Sequence, residues 1–431
     1  MTSPRSRCVR SLVRRVGFAM LVPAMILLAP AVAGAGAVRG SMTTTGYFFD
    51  GGGGRVPGPG EGGDQVSWIL QRLRLDAFPG AVGGPFSFHL SLTARNQADA
   101  QRLDQTRTRV YHGYLRYRPS RALDVRVGRQ YAYAGVASGV TDGASVRFRF
   151  RKLAEATVVG GTLGMESRED LRFDDPKDSR RWGAMVRVTP PRFGDVRVSG
   201  GASFERTWRN DLEDEMLLGL HGRVDLKNRI RGRFELRRDL LFAKTIGVRA
   251  GLEYLGRVRR ERFWAEYNRR EPFLRANSFF SSFGSRARDE ARGGFTEPVW
   301  REFAVSADAT LIAFDEHDQS RSFRLALSHG AHSIGWRIYR GFGGDQDGLV
   351  GSTRFTLWTP LTVYGSFGLV NYRYGEGTFE RDDGAASATV GTEYRPNPSW
   401  TLRAQVEALD HPAASGDVRA LGEITYRFGW R

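Results

Sequence analysis

The sequence predicts an all-β fold: a single transmembrane antiparallel β-barrel of about 18–22 strands. Three observations carry this. Polar and apolar side chains alternate along most of the chain, the alternating segments are long, and short connections take turns with longer ones. The 431 residues include 53 glycines and 12% aromatics, and mean hydropathy is negative. Past residue 30 the chain has no run of 18 or more apolar residues, so no hydrophobic helix is expected to cross a bilayer. A membrane barrel averages out as hydrophilic because only every second strand residue meets lipid.

The N-terminus reads as an export signal. Arg5, Arg7, Arg10, Arg14 and Arg15 form a basic region, and residues 16–29 form a short apolar core interrupted by Pro23. Ala31-Val32-Ala33, Ala33-Gly34-Ala35 and Ala35-Gly36-Ala37 follow, each an A-x-A cleavage pattern. Residues 1–37 are therefore expected to be removed, with cleavage between Ala33 and Arg39, leaving residues 38–431 as the barrel. The single cysteine, Cys8, lies inside the signal, so the mature chain has no disulfide and no cysteine-based metal site. Net charge is +17, falling to +12 without the five signal arginines. Among 64 basic residues only Lys152, Lys177, Lys227 and Lys244 are lysines. A GC-rich genome accounts for that ratio, but not for where the arginines sit.

The strands follow from a two-residue period. In residues 229–237 every odd residue is charged and every even one is apolar or glycine. Val146, Phe148 and Phe150 alternate with Arg147, Arg149 and Arg151, and Trp400, Leu402, Ala404, Val406 and Ala408 with Thr401, Arg403, Gln405 and Glu407. Successive strand side chains point to opposite faces, so each segment has one apolar and one polar face. A soluble sandwich alternates too, but its strands are typically about five or six residues. Residues 195–208, 246–255 and 418–430 reach the roughly ten residues that a tilted strand needs to cross a bilayer.

Short turns are expected at residues 118–120, 151–153, 190–191, 226–228, 359–360 and 395–398. Longer polar loops are expected at 50–64, 96–106, 166–180, 341–348 and 375–384. Short turns on one side and long loops on the other is the barrel arrangement. The strand tally from sequence is 21, whereas a closed bacterial barrel needs an even number. Counts from the two ends disagree near residues 270–298, which therefore hold a missed strand, a constriction loop or a short plug.

The last strand resembles the assembly signal of outer-membrane barrels. Val418, Ala420, Gly422, Ile424, Tyr426, Phe428 and Trp430 share one face, and the aromatics thicken toward the end. Arg431 then follows, where the family usually ends on the aromatic. This resemblance implies handling by the barrel-assembly machinery. In residues 123–150, Val125-Arg126-Val127-Gly128-Arg129-Gln130 and, after a gap, Thr141-Asp142-Gly143-Ala144-Ser145-Val146-Arg147-Phe148 resemble a segment of porin-like and alginate-export-type barrels. That segment alone carries the likeness. It implies a Gram-negative outer membrane, with its lipid and lipopolysaccharide as surroundings. It also implies a pore for anionic solutes, or an exporter of acidic polysaccharide with periplasmic partners; a non-pore barrel, an enzyme at the rim or a sheath for a partner protein, is the remaining alternative. Gly128 and Gly143 also read as points where a strand bends beside a loop.

The polar faces supply the candidate pore lining: Arg116, Arg118, Arg147, Arg149, Arg151, Arg187, Arg229, Arg231, Arg233, Arg237, Arg249, Arg337 and Arg403. Arg126, Arg197, Arg262, Arg324, Arg419 and Arg427 share these faces, against Asp76, Asp124, Glu205, Glu235, Glu253, Glu266, Glu407 and Glu423. Roughly half of the arginines are expected to pair with acids across the wall, and the surplus would draw anions. The densest run is 229–233, set beside 147–151 by pattern.

Catalytic and metal chemistry find little support in the sequence. His89 and Ser91 share a face, as in the His-x-Ser of outer-membrane phospholipases, but Asn-Gly does not follow and the face is the polar one. The acidic run at 166–178 reads as a solvated outer loop with internal pairs, and Asp345-Gln346-Asp347-Gly348 has too few ligands for calcium. No catalytic residue, metal or cofactor is assigned. No nucleic-acid partner is expected, because the arginines alternate with apolar residues and form no separate patch.

Overall fold

The computed structural model describes residues 36–50, 65–80, 84–98, 106–163, 179–256, 261–271, 287–300, 302–314, 318–341, 344–374, 381–410 and 416–430. The expected signal and most of the long loops lie outside these residues. The strands are β1 (Ala37–Asp50), β2 (Gln65–Phe78), β3 (Phe86–Ala98), β4 (Thr106–Tyr117), β5 (Leu123–Ala134), β6 (Ala137–Phe150), β7 (Ala154–Leu163) and β8 (Ser179–Val188). Next come β9 (Val196–Arg209), β10 (Leu212–Leu226), β11 (Ile230–Asp239), β12 (Lys244–Leu255), β13 (Arg262–Arg270), β14 (Arg288–Trp300) and β15 (Phe303–Phe314). The rest are β16 (Gln319–His329), β17 (His332–Gly341), β18 (Asp345–Trp358), β19 (Leu361–Tyr374), β20 (Arg381–Asn397), β21 (Trp400–Asp410) and β22 (Asp417–Trp430).

The 22 strands among the described residues form one sheet in which each pairs antiparallel with its sequence neighbours, and β22 closes back onto β1. Closure removes the free edge that lipid could not satisfy. The even number resolves the odd tally. The doubtful segment at 270–298 contains a missed strand, β14, whose alternation is blurred by Gly293-Gly294 and Pro298.

Most of the expected short turns lie between strands. Tight turns at 151–153 and 227–229 join β6 to β7 and β10 to β11. At 227–228, Lys227 and Asn228 both have positive φ (51° and 55°), the pairing a two-residue hairpin turn requires. The predicted short turns all follow even-numbered strands, and the predicted long loops all follow odd-numbered ones. The long loop expected at 341–348 is corrected to a three-residue connection, because β18 already begins at Asp345, and β20 runs on to Asn397 through most of the turn expected at 395–398.

One face of the wall is apolar throughout. Val127, Phe148, Val158, Val186, Phe234, Leu252, Phe323, Trp336, Val390 and Ile424 stand exposed on it. Aromatic contacts near the short-turn end include Phe86–Tyr117 (4.7 Å), Tyr254–Phe263 (6.2 Å) and Trp400–Tyr426 (4.7 Å). This matches the interfacial aromatic belt of a membrane barrel. At the closing seam Ile424 and Tyr426 oppose Thr44 and Met42, and Phe428 opposes Gly40. A Cβ on Gly40 would meet the Phe428 ring at 2.6 Å; glycine lets the ring lie flat over β1. Trp430 registers with Val38, and Val38, Leu75 and Ala77 pack with Phe88, Leu90 and Phe428. The expected assembly strand is thus the strand that closes the sheet.

Candidate pore lining

The opposite, polar face is the candidate interior lining. Cross-strand register puts Arg116, Arg147, Arg149, Arg187, Arg231, Arg233, Arg237, Arg249, Arg337 and Arg403 on it. Arg118, Arg151 and Arg229 are corrected to turn positions at the short-turn end. Alternation extrapolated one residue past a strand end had put them on the wall. Arg151 also has φ 51°, outside the extended region. The runs 229–233 and 147–151, alike in pattern, sit on strands that are not neighbours. β6 pairs with β5 and β7, and β11 with β10 and β12. Sequence pattern gives a face, not a neighbour.

Acids meet several of the arginines. Arg116 bonds Asp124 through Nε (2.8 Å), and Arg126 approaches the same carboxylate at 3.4 Å. Glu155 takes Arg149 at 2.7 Å and Arg147 at 3.8 Å, while Arg237 pairs with Glu235 at 2.6 Å. Arg231 lies 3.6 Å from both Asp225 and Glu253. Arg187 and Arg337 make no ion pair among the described residues.

Two carboxylates serve three guanidinium groups each. Glu266 on β13 receives Arg249 (3.0 Å), Arg292 (2.7 Å) and Arg233. Glu393 on β20 receives Arg403 (2.7 Å), Arg395 (2.8 Å) and Arg354 (3.7 Å), and Arg403 also reaches Glu423 at 3.1 Å. Arg292 also lies 3.7 Å from Glu290, so each cluster sets three guanidinium groups against two carboxylates and keeps net positive charge. Arg292, Arg354 and Arg395 were missed from the sequence. Arg292 precedes the Gly-Gly pair that hid β14, and Arg354 and Arg395 stand near strand ends.

The largest surprise is the β5–β6 hairpin. A long loop was expected between the two halves of the 123–150 segment; instead both strands continue to a turn at Gly135-Val136. β5 pairs with β4 only from Tyr117/Val125 to Gly113/Arg129, then leaves the wall. Gly128, at φ 125°, marks the departure, and a Cβ there would collide with the Gly113 carbonyl. Gly143 faces it across the hairpin. Both glycines act at the bend, as expected.

Beyond the bend the hairpin folds onto the polar face of β7–β10. Ala132, Ala134 and Ala137 are buried against Val159 and Met185. The tip backbone N–H of Val136 donates to Ser203 Oγ on β9 at 3.1 Å. Arg181, beneath the flap, pairs with Glu205 at 2.9 Å with side-chain exposures of 1% and 7%. Arg181 also donates to Thr141 Oγ1 at 3.4 Å. Within the hairpin Arg129 holds Asp142 through two 2.7 Å bonds. Tyr131 and Tyr133 stand on the other side, 60% and 47% exposed. The sequence held a clue: Val159 and Met185 occupy polar-face positions and break the alternation of their strands.

No protein-family model and no curated protein sequence matches this chain. Solved structures do resemble it. The outer membrane protein OpdK of Pseudomonas aeruginosa is 10% identical with a TM-score of 0.42, covering 91% of this chain and 99% of its own. OpdQ of the same organism is 11% identical at 0.44, covering 92% and 98%. OccAB2 of Acinetobacter baumannii is 9% identical at 0.43, covering 91% and 98%.

Proposed function

We propose that this chain is an outer-membrane pore that passes small anionic solutes by passive diffusion. The observation that carries it is the set of three guanidinium groups around each of Glu266 and Glu393 on the inner wall of a closed barrel. Guanidinium groups there are 35–57% exposed although the carboxylates they share are buried, so the unmatched part of their field acts on water-borne solute. The flap narrows the path, and exposed Tyr131 and Tyr133 give the narrowing an aromatic surface. The apolar outer face suits outer-membrane lipid, with lipopolysaccharide at the long-loop end. The closing strand is the segment the barrel-assembly machinery would read, and periplasmic export partners are not needed for diffusion.

The test is the reversal potential across a potassium chloride gradient in a planar bilayer. Wild type should prefer chloride. Arg233→Ser, Arg249→Ser and Arg292→Ser combined should lower that preference. The preference should also fade with salt, since the screening length drops from about 10 Å at 0.1 M to about 3 Å at 1 M. Cation preference in the wild type would overturn the reading.

A further inference from the structure

Ser87 and His89 lie two residues apart on the inner face of β3, and Asp76 on β2 is the register partner of His89. The Ser87 hydroxyl donates to His89 Nε2 at 2.8 Å, and His89 Nδ1–H donates to Asp76 Oδ1 at 2.6 Å. Arg39 Nε donates to the other oxygen, Asp76 Oδ2, at 3.3 Å. The imidazole is held in place by Tyr114 stacked on it at 4.8 Å and Phe78 edge-on at 6.5 Å. Nucleophile, base and orienting acid therefore stand in line, each within hydrogen-bond reach of the next, and such a constellation is recognised by geometry and not by chain order. Ser91, which shares this face, makes no bond to His89 among the described residues; Ser87, on the other side of the histidine, does.

We infer that this inner-wall trio is an acyl-transfer site and that Ser87 is its nucleophile toward carboxylic esters. Ser87 Oγ bonds to the ester carbonyl carbon as its proton passes to His89 Nε2. The carbonyl electron pair moves to oxygen, which the positive groups of Arg39 and of Arg116, opposite Ser87 across the strand pair, stabilise. Collapse expels the alkoxide, which takes the proton from His89 and leaves as the alcohol. Water then repeats the sequence, releasing the carboxylic acid and restoring Ser87. Ser87 is the second residue of β3 and 7% exposed. The site thus opens at the short-turn mouth, and only a slim acyl group reaches Oγ. The inference needs only that mouth to be open, so it stands or falls apart from anion preference.

The purified, folded barrel is treated with a small fluorophosphonate, and the Ser87 peptide is weighed. Hydrolysis of p-nitrophenyl acetate is followed in parallel. Heat-modifiable gel mobility and single-channel conductance confirm folding of each variant. Wild type should be labelled at Ser87, and Ser91→Ala should be labelled equally. Ser87→Ala should lose label and hydrolysis. His89→Gln should slow labelling at least about 100-fold, the span of one general base. Folded wild type without label on Ser87, or His89→Gln labelled at the wild-type rate, overturns the assignment. If Ser87→Ala does not fold, the wild-type and His89→Gln measurements still decide.

Discussion

Arg181 and Glu205, on β8 and β9, stand 2.9 Å apart with 1% and 7% of their side chains exposed. Glu266 on β13 is 3% exposed, yet Arg233, Arg249 and Arg292 around it are 57%, 38% and 35% exposed. Both groups lie on the same inner face and are built from the same two residue types. The flap accounts for the difference. On β7–β9 it removes water, so charge must be matched, and an unmatched charge there would be costly. On β11–β14 no described residue covers the wall, so water tolerates the surplus, which in the proposed pore would act on solute. Stoichiometry and cover together separate a structural arginine from a field-setting one.

Three experiments break or sharpen that contrast. The largest effect is expected from replacing residues 131–140 with a short turn. Without the flap, single-channel conductance should rise by more than in any point variant, and an unchanged conductance would mean that the hairpin does not narrow the path. Next is Arg181→Met. It leaves Glu205 charged and covered, which costs about 3–5 kcal/mol, read as a lower unfolding midpoint in denaturant. The double variant Arg181→Met with Glu205→Leu should recover most of that loss, because the pair and its cover are then both apolar. If the single variant is neutral, the pair is wetter than its burial implies. The smallest effect is expected from Glu266→Gln. Removing the shared carboxylate leaves three cations, so the reversal potential should move further toward chloride, while Glu205→Gln should leave it in place. Equal shifts from both would erase the distinction between the two regions.

Much of this was legible from residue order. Val146-Arg147-Phe148-Arg149-Phe150 can bury its arginines away from lipid in only one way, and that fixed the inner face for most of the candidate lining. Where alternation ran past a strand end, at Arg118, Arg151 and Arg229, the same rule misplaced the side chain, since a turn has no faces. β14 was obscured by Gly293, Gly294 and Pro298, residues that carry weak strand preference but are tolerated where neighbours on both sides complete the ladder.

The sequence by itself determined the strand period, the polar and apolar faces, the difference between the two ends and the aromatic closing strand. Each of these depends on side chains within about ten residues of one another and on a solvent that punishes exposed charge on one face. The tertiary structure decided what depends on strands far apart in the chain: which arginines share a carboxylate, that β5 and β6 leave the wall at Gly128, and that Ser87 rather than Ser91 meets His89. Those outcomes follow from register and from the inward fold of one hairpin, and a two-residue period carries no information about either.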